Sequence, residues 1–184
     1  MKLLMSSSST ALWYDVIHDA ETSCAHNFKQ EIEAYVVFLL MRYMTRPDIV
    51  KQIMATDFLQ SVNNWRPIQR ENGLQDVGDK CLIFSGLFPQ LASKRLVNIS
   101  YFVKLGQSAY SSISKTDTDL YGSLAKQFVP IMDVIQSLRH DERFPGLTPL
   151  EAYELWNETG SQRALATLKL YSSDSLPVTS ILKK

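Results

Sequence analysis

The chain reads as an all-α protein, a single-domain irregular bundle of about eight helices, and three observations predict it. Apolar residues recur at helical spacing from residue 10 to residue 171. Strand-type alternation is nowhere sustained. The helix-length segments cover about two-thirds of the chain, against roughly one-third for an average domain. A length of 184 residues fits one domain. The expected organisation is a flexible leader over 1–9, one helical domain over 10–171 and a loose tail over 172–184.

The first helix is expected over 10–23, capped by Ser9 or Thr10, with Leu12, Val16 and Ala20 on one face. The second, over 26–44, places Phe28, Ile32, Tyr35, Val36, Leu39, Leu40 and Tyr43 at i, i+3, i+4, i+7 spacing. Val37, Phe38 and Met41 fill its other side. A helix apolar all round belongs inside a core, so this segment is expected at the centre. Pro47 suits the first turn of a third helix, over 47–62. Asn63-Asn64-Trp65-Arg66-Pro67 and Glu71-Asn72-Gly73 then read as a break before a fourth helix over 76–88, which Pro89 stops.

Asn98 is expected to cap a fifth helix over 98–114, with Phe102, Gly106, Ala109, Tyr110 and Ile113 inward. Thr116-x-x-Asp119 resembles a capping box and opens a sixth over 117–139. Pro130 lies inside it and predicts a kink at 126–130, because its ring crowds the preceding turn and it has no N–H to donate. Thr148-Pro149-Leu150-Glu151 is the clearest local signal: a cap, proline at the first helical position and a glutamate to reach back. That helix is expected to end near Thr159 with Gly160 as a left-handed stop, and Ser161 to cap a last helix to about residue 171.

Charge and composition exclude several functions. With 19 Lys+Arg against 19 Asp+Glu the net charge is zero, which argues against a nucleic-acid footprint. The longest unbroken apolar run, Ala34 to Met41, is eight residues, where a membrane span needs about 20. The leader lacks the apolar core of a signal peptide. Two cysteines, Cys24 and Cys81, without C-x-x-C or Cys/His zinc spacing, predict free thiols and a cytoplasmic setting.

No cofactor, catalytic residue or metal ligand is assigned. The three histidines are His18, His26 and His140, and no Glu-x-x-His of a di-metal bundle is present. Asp15, His18 and Glu21 share a helical face and read as a polar surface. No G-x-S-x-G, Walker loop or G-x-G-x-x-G occurs, and Ser85 lies inside a helix pattern. Lys104 near Tyr101 reads as a surface lysine. Gly86 and Gly106 each sit in a helix, where glycine costs about 1 kcal/mol against alanine. Close helix approach explains them, or a gap held open for a ligand. Inward-facing Tyr35 and Tyr110 would need partners for their hydroxyls.

The segment Ile32–Arg42, Gly86-Leu87-Phe88-Pro89, Ser100-Tyr101-Phe102-Val103-x-x-Gly106-x-x-Ala109-Tyr110 and Trp156-x-x-Thr159-Gly160-Ser161-x-x-Ala164 form a set of pieces. Together they resemble an all-helical proteobacterial family with no assigned activity. The resemblance spans about residues 11–171 and implies a bacterial cytoplasmic protein, but no site.

Two function classes remain. One is a non-enzymatic protein-interaction or regulatory module, acting through a protein partner or as a homodimer. The other is a small-molecule binder or enzyme with an apolar pocket between helices near Gly86, Gly106 and Tyr110. For the dimer, Leu82, Ile83 and Leu87 on one helix, and Tyr101, Val103 and Leu105 on another, supply apolar faces beyond those a single core is expected to need. Loops 63–75 and 89–97 are the alternative cover for them.

Overall fold

The computed structural model describes residues 9–44, 60, 63, 66–89, 92, 97–139 and 146–173. Eight helices account for nearly all of these, and no strand occurs among the described residues. They are α1 (Ser9–Ser23), α2 (Gln30–Met44), α3 (Pro67–Leu87), α4 (Ile99–Ile113), α5 (Leu120–Lys126), α6 (Phe128–Ser137), α7 (Pro149–Thr159) and α8 (Gln162–Ser173). The all-α bundle is as expected. The expected helix over 47–62 falls almost wholly outside the described residues, as do His140, nearly all of the leader and most of the tail.

The centre of the bundle is α3, not the 26–44 segment. Every residue from Val77 to Gly86 is buried, whereas α2 leaves Phe38 56% exposed. Hydropathy misplaces the centre because α3 mixes Gly78, Asp79, Lys80, Ser85 and Gly86 into its buried stretch. Small side chains contribute little transfer energy but let neighbouring helices close in. A Cβ at Gly86 would sit 2.6 Å from Ile135 Cγ2, and one at Gly106 would sit 2.5 Å from Phe128 Cε2 and 2.9 Å from Cys81 Cβ. Close approach is therefore what these two glycines provide.

α3 also starts earlier than expected. Pro67 takes its first turn and the helix runs unbroken through Asn72-Gly73, the expected break. These turns are largely solvated, and Leu74 is the first fully buried residue. Burial of Leu74 and Val77–Gly86 anchors the helix, and adding further turns to a helix already formed is favourable, so local turn preference yields to the packed half.

α4 packs most broadly along α3, α6 lies along another side of it, and α5 bridges α4 and α2. α1 fits between α2 and α6, while α7 and α8 form a hairpin resting on α4 and α6 respectively. The Pro130 break is real: Gln127, with φ −98° and ψ 15°, ends α5 and precedes α6. Asp119, rather than Thr116, caps α5; its carboxylate accepts from Gly122 N at 2.7 Å and also from the amides of Lys115 and Thr116. The Thr148–Glu151 capping box forms in both directions, and Gly160 adopts φ 74° as the stop of α7.

Candidate functional site

Two buried carboxylates organise the polar interior. The first is Asp79 on α3, 0% exposed. Tyr35 of α2 donates its hydroxyl to Asp79 Oδ1 at 2.5 Å, and Tyr110 of α4 donates to the same oxygen at 2.7 Å. Arg42 of α2 donates to Oδ2 as an ion pair. Gln75, one turn before Asp79 on α3, donates to the Tyr35 hydroxyl at 3.3 Å.

The geometry has a local origin. Tyr35 and Arg42 are seven residues apart, two helical turns, so both face α3. Tyr110 reaches Asp79 because residue 78 has no side chain: a Cβ there would lie 2.5 Å from Tyr110 Cε1. Tyr121 of α5 completes the cluster, stacked on Tyr110 at 6.1 Å and edge-on to Tyr35 at 6.3 Å. Burial pushes the Asp79 carboxyl above the usual carboxylate range, opposed by the tyrosine hydrogen bonds and by Arg42. Burial first, and then the Asp79 charge, push both Tyr35 and Tyr110 above the usual phenol range. Neither phenol is therefore a ready proton donor near neutral pH. A cleft of about 260 Å³, lined in part by Glu71, Gln75, Lys115 and Tyr121, opens beside this cluster.

The second carboxylate is Asp133 on α6, 2% exposed. It accepts from Ser161 Oγ at 2.5 Å and from the amides of Gln162 at 2.9 Å and Arg163 at 3.3 Å. These are the first groups of α8, so Asp133 caps that helix from another element, while Ser161 Oγ accepts from Ala164 N at 3.1 Å. Burial raises the Asp133 carboxyl, offset by these hydrogen bonds.

The α1–α2 corner lies against Asp133. Ala25 sits at φ 55°, in the left-handed region, and turns the chain between Cys24 and His26. Both residues line a cleft of about 210 Å³ together with Ser23, Asp133, Gln162 and Arg163. Cys24 Sγ donates to the Asp133 backbone oxygen at 3.9 Å. His26 stacks on Phe28 at 6.0 Å, and its Nε2 is buried with no hydrogen-bond partner. Glu21, 3% exposed, accepts from Phe28 N through Oε2 and leaves Oε1 without one.

The residues singled out from sequence fall as follows. His18 is exposed and lies 3.9 Å from Glu33, and no group of three acidic, histidine or cysteine residues fit to hold a metal occurs among the described residues. Ser85 donates back to Cys81 O at 2.8 Å inside α3. Lys104 pairs with Glu158 at 2.7 Å at the surface. The space beside Gly86 and Gly106 is filled by Ile135 and Phe128, so the apolar pocket expected there is packed core. The sequence raised the need for partners at Tyr35 and Tyr110, but not Asp79 as the residue that meets it. A signal for Asp79 exists: a lone carboxylate inside the sequence Val77-Gly78-Asp79-Lys80-Cys81-Leu82-Ile83-Phe84.

No family model, curated protein or solved structure matches the chain.

Proposed function

We propose that the chain works through its surface, as a bacterial cytoplasmic protein-interaction or regulatory module that forms a homodimer. The faces first nominated for the dimer do not carry this reading. Leu82, Ile83 and Val103 are at most 2% exposed within the chain, Leu87 and Leu105 are partly buried, and only Tyr101 remains exposed.

One observation replaces them. At the open end of the α7–α8 hairpin, Leu150 is 67%, Tyr153 51%, Leu170 72% and Tyr171 45% exposed. The Tyr171 hydroxyl lies 3.5 Å from Leu147 O, which brings the end of α8 to the start of α7. Four large apolar side chains gathered at one end of a hairpin fit the kind of patch that marks an association surface. The free state of Cys24 and Cys81 supports a reducing compartment. No described helix is long and apolar enough to cross a membrane.

Light scattering across micromolar concentrations tests the reading. A mass near twice 20.9 kDa that falls to the monomer in the variant Leu150→Asp/Leu170→Asp is expected. A mass of 20.9 kDa at every concentration overturns the dimer.

The small-molecule reading keeps one supporting observation, displaced from the glycines. The 260 Å³ cleft has Tyr121 in its wall, one ring away from Tyr110 and the Asp79 cluster. Native mass spectrometry distinguishes the two readings: a co-purifying ligand lost in Tyr121→Ala favours the binder.

A further inference from the structure

Tyr35, Tyr110 and Tyr121 form a triangle of rings, with centroids 6.1 to 6.3 Å apart on every side. They differ in exposure. Tyr110 is 0% exposed, whereas Tyr35 and Tyr121 are half-buried. Tyr121 lines the 260 Å³ cleft, so it is the member that a small diffusing reagent meets. Tyr110 lies behind it, stacked on the Tyr121 ring, flanked by Phe128 at 6.1 Å and pressed against Gly78. Phenols are among the side chains that give up one electron most readily. Stacked rings pass an electron between them faster than solutes meet in dilute solution.

Losing an electron turns a phenol into a strong acid, so the step is helped by a base already in place. The intact phenols hold their protons, because burial and the Asp79 charge disfavour a phenolate. An oxidised ring sheds its proton, and the resulting phenoxyl radical is neutral, so no charge is left on the buried ring. Asp79 Oδ1 is placed to take that proton, 2.7 Å from the Tyr110 hydroxyl and 2.5 Å from that of Tyr35. Arg42 holds Oδ2, which leaves Oδ1 as the accepting atom. Burial also raises the proton affinity of this carboxylate.

We propose that the cluster is a one-electron redox site, in which Tyr121 meets a small radical oxidant, such as the carbonate or nitrogen dioxide radical, and Tyr110 holds the oxidised state with its proton on Asp79. The oxidant gains one electron and leaves as its anion. Tyr121 supplies that electron and releases its hydroxyl proton to water. Tyr110 then passes an electron to Tyr121, which regains a proton from water. As it does so, the Tyr110 O–H bond breaks and the proton moves to Asp79 Oδ1. The sum is one radical reduced to its anion, one neutral phenoxyl at Tyr110 and one protonated Asp79. An enediol reductant such as ascorbate, itself oxidised by one electron, restores the phenol as Asp79 returns the proton. Radicals on exposed tyrosines end by coupling between molecules. A ring with no exposed surface cannot meet another, so the Tyr110 radical persists. The proposal needs neither the apolar patch on α7 and α8 nor a ligand in the cleft.

Pulse radiolysis of the folded full-length protein in azide solution tests it. The azidyl radical is the probe: it takes one electron from tyrosine or tryptophan and becomes azide. Visible absorption is expected to show two phenoxyl populations, one decaying by coupling between molecules and one persisting with a lifetime independent of protein concentration. Tyr110→Phe keeps the ring and should abolish the persistent population, while Tyr101→Phe, at an exposed ring, should leave it intact. Asp79→Asn keeps an acceptor but offers a far weaker base, and should slow formation of the persistent radical about a hundredfold. Deuterium oxide should slow the same step in the wild type, a readout that a purely structural Asp79 does not move. If circular dichroism shows that Asp79→Asn fails to fold, the effect of deuterium oxide decides the role of Asp79. Absence of a persistent phenoxyl, or one that survives Tyr110→Phe, overturns the site. Formation at the same rate in deuterium oxide overturns Asp79 as the proton acceptor, and formation at an unchanged rate in Tyr121→Phe overturns Tyr121 as the point of entry.

Discussion

Asp79 and Asp133 are the same residue type at nearly the same burial, 0% and 2% exposed, yet they do different work. Asp79 is held by side chains: two tyrosine hydroxyls and a guanidinium from α2 and α4. Asp133 is held by a serine hydroxyl and two backbone amides at the start of α8. The first arrangement fixes how three helices sit together, because Asp79 lies on α3 and its partners come from α2 and α4. The second fixes where one helix begins. A buried carboxylate thus specifies tertiary packing or secondary structure according to whether its donors are side chains or amides.

The contrast can be broken most severely at Asp79. Asp79→Ala removes the acceptor of the buried Tyr110 hydroxyl, the half-buried Tyr35 hydroxyl and Arg42, and should cost about 3–4 kcal/mol in urea unfolding, with loss distributed over the whole domain. Asp133→Ala should cost about 2 kcal/mol, and the damage should stay local. Hydrogen exchange would then quicken at the amides of Gln162, Arg163 and Ala164 while α3 keeps its protection. Tyr35→Phe removes one donor and keeps the ring, so about 1 kcal/mol is expected from the same unfolding measurement.

Acidity sharpens the comparison further. Burial raises Asp79 above its ordinary value of 3.8. The folded state then holds the proton more tightly than the unfolded chain. The stability this gives is fully present below the ordinary value and is lost as pH rises through the folded one. Denaturation of the wild type and of Asp79→Asn, which cannot ionise, should therefore show the wild type losing ground to the variant as pH rises. The half-buried cap Asp119 has the opposite sign. Amides of Gly122 and Lys115 hold its carboxyl down at about 2. Its contribution is present above the ordinary carboxylate range and lost as pH falls through about 2. The Gly122 amide shift, followed by NMR, should titrate with that midpoint, the smallest of these effects.

Legibility in the sequence follows the range of the interaction. Thr148, Pro149, Glu151 and Gly160 satisfy each other within one or two turns, and the sequence placed that helix closely. Pro130 acts on the turn just before it, and the break between α5 and α6 was likewise legible. The path of α3 through Asn72-Gly73 was not, because the stabilisation lies in Leu74 and Val77–Gly86 and travels outward along the helix. At the polar sites, the demand of Tyr35 and Tyr110 for partners could be read, but not their supply. Tyr35 and Asp79 are 44 residues apart, Asp133 and Ser161 are 28 apart, and no local pattern couples such distances. The corner cleft depends on Ala25 in the left-handed region, a conformation for which alanine gives no sequence signal.

The missing side chain at residue 78 has a consequence in time as well as in space. Tyr110 is 0% exposed, with its ring against Gly78, stacked on Tyr121, beside Phe128 at 6.1 Å, and its hydroxyl tethered to Asp79. A half-turn of that ring about its own axis sweeps its edges through volume that neighbours already occupy. Surface aromatics rotate on the picosecond-to-nanosecond scale, but this ring must wait for the packing between α3 and α4 to dilate. Its two sides should give separate aromatic resonances that merge only on warming, making Tyr110 a built-in clock for how often the centre of the molecule breathes.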